Sequence, residues 1–328
     1  MQYCDDAYAA MLLTMTLSAN REEYARPLTT LEYRKLDASA RAGSARTLGH
    51  LLGMDISGLM QILRISEEEA YRIFTLLNRS VQLTYSLEGF MHQGIEVITQ
   101  FDERYPQRLT RRMGDAAPPV FFFSGNANLL NKPMIAIVGI SGVKTTPAVR
   151  ESVEKIVAEA ERLGYGVVTG GELGVAHLAK NLTSAGSGTL IDVLGGGLNE
   201  HLADETFAGM LSENRAVALS LEHPDALFTV SHAIARNKVL FSLAEVAFVF
   251  NSDGKRGETD ALRNHYCDFI YAWDGYAGNN PLISRGAKPF SCAESLDFSE
   301  MSRRWQASRS EQLNLFDMMM PEEVSEEE

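Results

Sequence analysis

From Asp5 to about Ser80, apolar residues return every three or four positions with polar residues between them, which is helical spacing. In "DISGLMQILRISEEEAYRIFTLLNR" this spacing turns Ile56, Leu59, Met60, Leu63, Tyr71, Phe74 and Leu77 toward one face, and Ser66 with Glu69 forms a capping box that starts a helix. The pattern predicts a small helical domain over residues 1–90, with a core but no chemistry of its own. After "MHQGIEVITQFDERYPQRL" short runs rich in β-branched and aromatic residues alternate with helical stretches, the signature of an α/β chain. Strands are predicted near 95–98, 119–123, 134–139, 166–169, 189–194, 216–220, 245–250 and 268–272. Helices are predicted near 147–163, 173–185, 204–213, 230–243 and 258–266. The clearest helix opens with Thr146 as N-cap and Pro147 at its first position, and stops at Gly164.

The run "MIAIVG", residues 134–139, is apolar throughout, as a central parallel strand covered on both faces must be. A doubly wound sheet follows, and such sheets take ligands outside the carboxyl ends of their strands. The stretches "GISGVKTT", "TGGELG", "LGGGLN" and "NSDGKRGET" all fall at those ends, so four glycine-rich loops converge on one rim. Helix N-termini there offer free N–H groups to an anion. The candidate phosphate contacts are Gly139, Ser141, Gly142, Lys144 and Thr145 in the first loop, Gly170 and Gly171 in the second, and Lys255 and Arg256 in the last.

Other chemistries fit the rim less well. A P-loop needs four residues between its first glycine and Gly-Lys-Ser/Thr; here Gly139 and Gly142 are too close and Val143 separates Gly142 from Lys144. No GxGxxG follows the strand, which removes the dinucleotide fingerprint. Ser141, Ser231 and Ser252 lie near the rim and His177 and His232 open helices, but no local signature ties a serine to a base, and no catalytic residue is assigned. No two of the seven histidines stand at i, i+4 spacing, and Cys4, Cys267 and Cys292 are far apart, so neither a metal, a cofactor nor a disulfide framework is expected.

The chain has 328 residues, 45% of them hydrophobic, enough for a sizeable core. No window reaches the roughly 20 apolar residues that span a bilayer and the first residues lack a basic leader, so the expected location is cytoplasmic, with no membrane partner. A net charge of −13, part of it in "PEEVSEEE", restricts any nucleic-acid site to a local patch.

The order "FDERYPQRL…APPVFFFSGN", "IAIVG", "GYGVVTGGELGVAHLA", "GTLIDVLGGGLN", "ARNKVLFSLAEVAFVF" and "GNNPLISRGAKPF" resembles the DprA/Smf DNA-processing proteins over about residues 94 to 290. The resemblance implies an extended Rossmann-like domain, here residues 91–297, after the helical one. It further implies single-stranded DNA binding without catalysis, homodimerisation, and loading of a RecA-type recombinase, in transformation, recombination or repair. In "ARNKVL" it assigns Arg236 and Asn237 to the DNA site, with Lys238 where the family commonly has a second arginine; a buried arginine that orients loops is the other reading of Arg236. Three departures mark a divergent member. Ile140 and Ser141 stand where the family has an arginine, with Lys144 nearby. The family's GID and AH become Gly174, Val175, Ala176 and Ala179, Lys180. Its serine-glycine loop matches "DGKRGETDA" only loosely. A nucleotide-sensing or nucleotide-processing protein of the same superfamily is the alternative. Cleavage is disfavoured, because Gly257 and Thr259 lack the paired glycines and the glutamate of the cleaving relatives.

Family members often end in a winged-helix domain, for which too few residues follow Phe298. Residues 298–328 read instead as a flexible acidic tail. Within it "QLNLF" resembles the pentapeptide by which bacterial DNA-handling proteins dock on the replication sliding clamp, with Gln312, Leu313, Leu315 and Phe316 at its pattern positions.

Overall fold

The computed structural model describes residues 3–18, 23–254, 257–299 and 303. Five helices come first: α1 (Asp5–Thr14), α2 (Thr30–Ala42), α3 (Ile56–Leu63), α4 (Glu67–Leu77) and α5 (Ser80–His92). Helix α1 buries Ala7, Ala9, Ala10, Met11, Leu12 and Leu13, more than one stripe, because its neighbours surround it. Its last carbonyls are capped by a buried guanidinium: Arg79 donates to Leu12 O and to Met15 O at 2.7 Å and pairs with Glu23 at 2.8 Å. The Ser66–Glu69 capping box forms as expected, and Thr29 with Glu32 makes a second at α2. Tyr71 departs from the expected inward face and is 60% exposed, because α4 buries Ala70, Ile73, Leu76 and Leu77 and Tyr71 lies off that stripe.

Nine strands follow, β1 (Glu96–Thr99), β2 (Val120–Gly125), β3 (Met134–Gly139), β4 (Gly166–Thr169), β5 (Leu190–Leu194), β6 (Ala216–Ser220), β7 (Val246–Asn251), β8 (Phe269–Trp273) and β9 (Lys288–Phe290). They form one sheet in the order β1-β2-β6-β5-β4-β3-β7-β8-β9. β1 and β2 are antiparallel to their neighbours; from β6 to β9 the sheet is parallel. The other helices are α6 (Gln107–Met113), α7 (Pro147–Arg162), α8 (Val175–Ala185), α9 (Asn199–Leu202), α10 (Glu205–Ser212), α11 (Val230–Leu243), α12 (Glu258–Arg263) and α13 (Asn280–Ile283). All six residues of β3 are buried, as its unbroken apolar sequence requires. Four short elements escaped the sequence pattern, α6, α9, α13 and β9. β9 is a three-residue edge strand containing Pro289, and α6 is held by arginines that reach the carboxyl end of α11, Arg108 to Leu243 O at 2.7 Å and Arg112 to Ala244 O.

The two sheet faces carry separate cores. Ile98, Phe121, Phe123, Val168 and Val193 pack with α6 and α11 on one side. On the other, Val97, Val120 and Phe122 join one continuous cluster with α7, α8 and the inner faces of α1 to α5. His223, just after β6, is the polar exception at this junction. Its ring lies 5.3 Å from that of Phe90, edge to face, and its Nδ1 accepts the Asp225 N–H at 3.2 Å. Burial pushes the His223 pKa below its usual 6.5 against the weaker pull of the Asp225 carboxylate. The unfolded chain therefore binds this proton more readily, so the contribution is complete above about pH 6.5 and is lost as pH falls through the lower folded value. His223→Gln is expected to flatten the stability–pH curve over that window in urea titrations; an unaltered slope would show that another group carries it.

Candidate functional site

β3 lies at the point where the winding reverses: its chain continues through α7 to β4 on one side, while β7 occupies the other. A crevice opens there at the carboxyl ends of the strands. Asn251 closes its base, its Oδ1 accepting the Ile140 N–H at 2.6 Å. Gly139 is required because α8 begins directly above it; a Cβ would sit 2.4 Å from Val175 Cγ2. The cleft is lined by Gly139 and Ile140, by Gly170 and Glu172, and by Arg236 and Asn237 of α11, with Glu258 of α12 beside them.

Arg236 is the largest of the fully buried side chains, 2% exposed. Nη1 donates to Val193 O at 2.6 Å and Nη2 to Glu172 Oε1, so one side chain ties β5 to the loop after β4. Gly170 is a glycine for this reason, since a Cβ there would lie 1.8 Å from Nη1. Gly171, with φ +70°, donates its N–H to Thr169 Oγ1 at 3.0 Å. Thr169 in turn bonds the fully buried Asp192, whose Oδ2 stands 3.0 Å from His201 Nε2. A polar chain thus runs beneath the second loop.

The three glycines of "LGGGLN" support a further loop. Gly197 donates to Ala226 O at 2.7 Å and Ser220 Oγ to Gly196 O at 2.6 Å, and Asn199 Nδ2 reaches Asp225 at 2.6 Å. A Cβ on Gly197 would fall 2.0 Å from Pro224 O. Residues 223–228 are therefore pressed onto the glycine turn, and they hold Leu227 and Phe228 outward, 82% and 53% exposed.

Of the residues singled out in the sequence, Gly139, Gly170, Arg236 and Asn237 meet in the cleft, with Gly171 beside it. Ser141, Gly142 and Lys144 stand exposed on the loop before α7, with Thr145 half-buried, while Lys238 is half-buried on α11; none of these lines the cleft. Lys255 and Arg256, and Gln312, Leu313, Leu315 and Phe316, lie outside the described residues. Sequence reasoning missed Glu172, Asp192, His201 and Asn251. Asp192 carried a signal, an acid inside the apolar run "LIDVL". Lys180, at the family's histidine position, is buried and pairs with Asp204 at 2.8 Å. Burial raises the Asp204 pKa, and hydrogen bonds from Lys180 and the Phe207 N–H outweigh it to leave the carboxyl below its usual range. In "GNNPLISRGA", Asn279 is buried, its Nδ2 donating to Val249 O, Phe250 O and Trp273 O, which fastens the ends of β7 and β8. Among the described residues no helix is long and apolar enough to cross a membrane.

The family model of DNA recombination-mediator protein A matches residues 96–298, from the first residue of β1 to just beyond β9. The chain belongs to that family. An X-ray structure of DNA processing protein A (DprA) from Streptococcus pneumoniae covers 81% of this chain and 96% of its own at 21% identity, with a TM-score of 0.52, and shares the fold. A structure of DNA processing protein A from Helicobacter pylori, described for its single-stranded DNA binding mode, covers 65% and 96% at 17% identity and a TM-score of 0.49. No curated protein matches the chain. The DprA-type sheet accounts for the whole rim, since every loop described above falls within residues 96–298.

Proposed function

We propose that this DprA-family chain is a non-enzymatic single-stranded DNA-binding protein that holds the strand by its phosphates along the carboxyl rim of the sheet. The observation that carries this reading is the family match across the entire sheet, rim loops included. The rim's chemistry agrees with it: exposed Lys144, the Ser141–Gly142 backbone, and Lys238 supply cations and N–H groups of the kind that grip a backbone without reading sequence. Three histidines near the rim are engaged in structural contacts, His201 with Asp192, His223 with Phe90 and His232 with Glu222. Arg236 acts in this reading as the strut that sets the loops, and with Asn237 it positions the outer contacts. By sequence, Lys255 and Arg256 belong to the same set of candidate phosphate contacts.

Binding of a fluorescent oligonucleotide is expected at low salt and is expected to weaken steeply as salt rises. Lys144→Glu and Lys238→Glu are each expected to reduce the salt slope by about 0.7 or more, the amount for one lost single-strand phosphate contact. No binding at any salt, with saturable mononucleotide binding instead, would overturn the reading in favour of a nucleotide sensor. In the cell the protein acts in recombination, DNA uptake or repair, as a cytoplasmic homodimer that loads a RecA-type recombinase, and its Gln312–Phe316 segment docks on the sliding clamp. Titrating a peptide of residues 306–320 against purified clamp, with Phe316→Ala as control, tests the docking, and sedimentation tests the dimer.

A further inference from the structure

The crevice at the reversal of a doubly wound sheet is where such folds seat a ligand's phosphate. Here the innermost cation of that crevice already holds an anion, and the anion is part of the chain. The Arg236 guanidinium is buried; its Nη2 is taken by Glu172 Oε1 and its Nη1 by Val193 O, while Nε, also buried, has no hydrogen-bond partner. Glu172 arrives from the Gly170–Gly171 turn and keeps 20% of its side chain exposed against 2% for Arg236. The carboxylate therefore stands toward solvent with the guanidinium behind it. Carboxylate and phosphate compete for the same planar fork of donors.

We infer that Glu172 occupies the anion seat of this cleft and closes Arg236 to phosphate monoesters. The cleft has little room for a second anion. Gly170 packs directly against the guanidinium, and Glu258, 1% exposed, lines the same space, so a phosphate would bring its charge beside Glu172 and a second carboxylate. Glu172 thus sets specificity. It excludes free mononucleotides and inorganic phosphate from the inner cleft and leaves the phosphates of a longer ligand to the outer rim. The inference goes beyond strand binding, because it concerns a ligand class that the protein rejects.

The test is calorimetric titration and thermal unfolding of the full chain with inorganic phosphate and with deoxythymidine 5′-monophosphate, at matched ionic strength. The wild-type protein is expected to show no saturable binding. Glu172→Ala is expected to bind both probes at least about tenfold more tightly than the wild-type limit, the worth of one charge-assisted hydrogen bond. Adding Arg236→Met to Glu172→Ala is expected to remove the gain. Should Glu172→Ala lose its cooperative unfolding, the near-isosteric Glu172→Gln, which removes the charge and keeps the acceptor, replaces it. A folded Glu172 variant indifferent to both probes, or a wild-type protein that binds them as tightly as the variant, overturns the inference. Gain of phosphate binding that persists without Arg236 overturns it as well. The oligonucleotide titration is a separate readout: a wild-type protein with no affinity for single strands would sink the strand-binding reading alone.

Discussion

Arg236→Ala is expected to lower the free energy of unfolding by about 3 kcal/mol, the low end of what removing one partner of a buried ion pair costs. The low end applies because Glu172 is partly exposed and can turn to water, whereas Val193 O loses its donor inside the protein. Loss of the stem adds a cavity beneath the second loop. Urea unfolding measures the change, and a second series in the Glu172→Ala background separates the pair from the strut. If the single variant costs less than about 1 kcal/mol, the ordinary worth of a neutral hydrogen bond, then Arg236 is not what holds the loops together.

Gly197→Ala is the second large effect. The added methyl would lie 2.0 Å from Pro224 O and 2.3 Å from its carbonyl carbon, both backbone atoms that no rotamer change can move aside. Residues 223–228 must lift, which breaks the Gly197 N–H to Ala226 O and Asn199 N–H to Pro224 O bonds. A loss of about 3 kcal/mol is expected, at the upper end for overpacking a tight site. Faster amide exchange over 224–228 should accompany it. Gly209 provides the control, since nothing lies within 4 Å of its Cβ position on the exposed face of α10. Gly209→Ala is expected to be neutral or stabilising by up to about 1 kcal/mol from helix propensity. Equal losses at both positions would show that the close approach at Gly197 is not the cause.

The sequence patterns made the sheet legible because parallel strands buried on both faces read as near-continuous apolar runs; β3 and β7 read directly from "MIAIVG" and "VAFVFN". β9 was illegible because three residues with a proline have no period, and its pairing with β8, from Tyr271–Lys288 to Trp273–Phe290, defines the strand. At the strands' carboxyl ends, glycine marks the places where a side chain presses on the main chain, Val175 at Gly139 and Arg236 at Gly170. The glycines did not show which cation is reachable. Arg236 and Lys238 are two residues apart on one helix, yet one is sealed in the fold and the other is half-buried, a difference set by tertiary packing. Glu172 was missed for a related reason: an acid in a glycine-rich loop reads as a solvated surface residue until the guanidinium behind it is seen.

The match to the family model begins at Glu96, the first residue of β1. A chain cut there would show Val97, Val120 and Phe122 to water and lose the Tyr3 hydroxyl from Val97 O as well as Phe90 from Phe122. The matched stretch is therefore smaller than the buried core it shares with the helices. Outward residues of the helical layer, such as Tyr71 and Tyr85, are exposed and open to substitution, while an inward one such as Phe90 holds the sheet as well as its own helix.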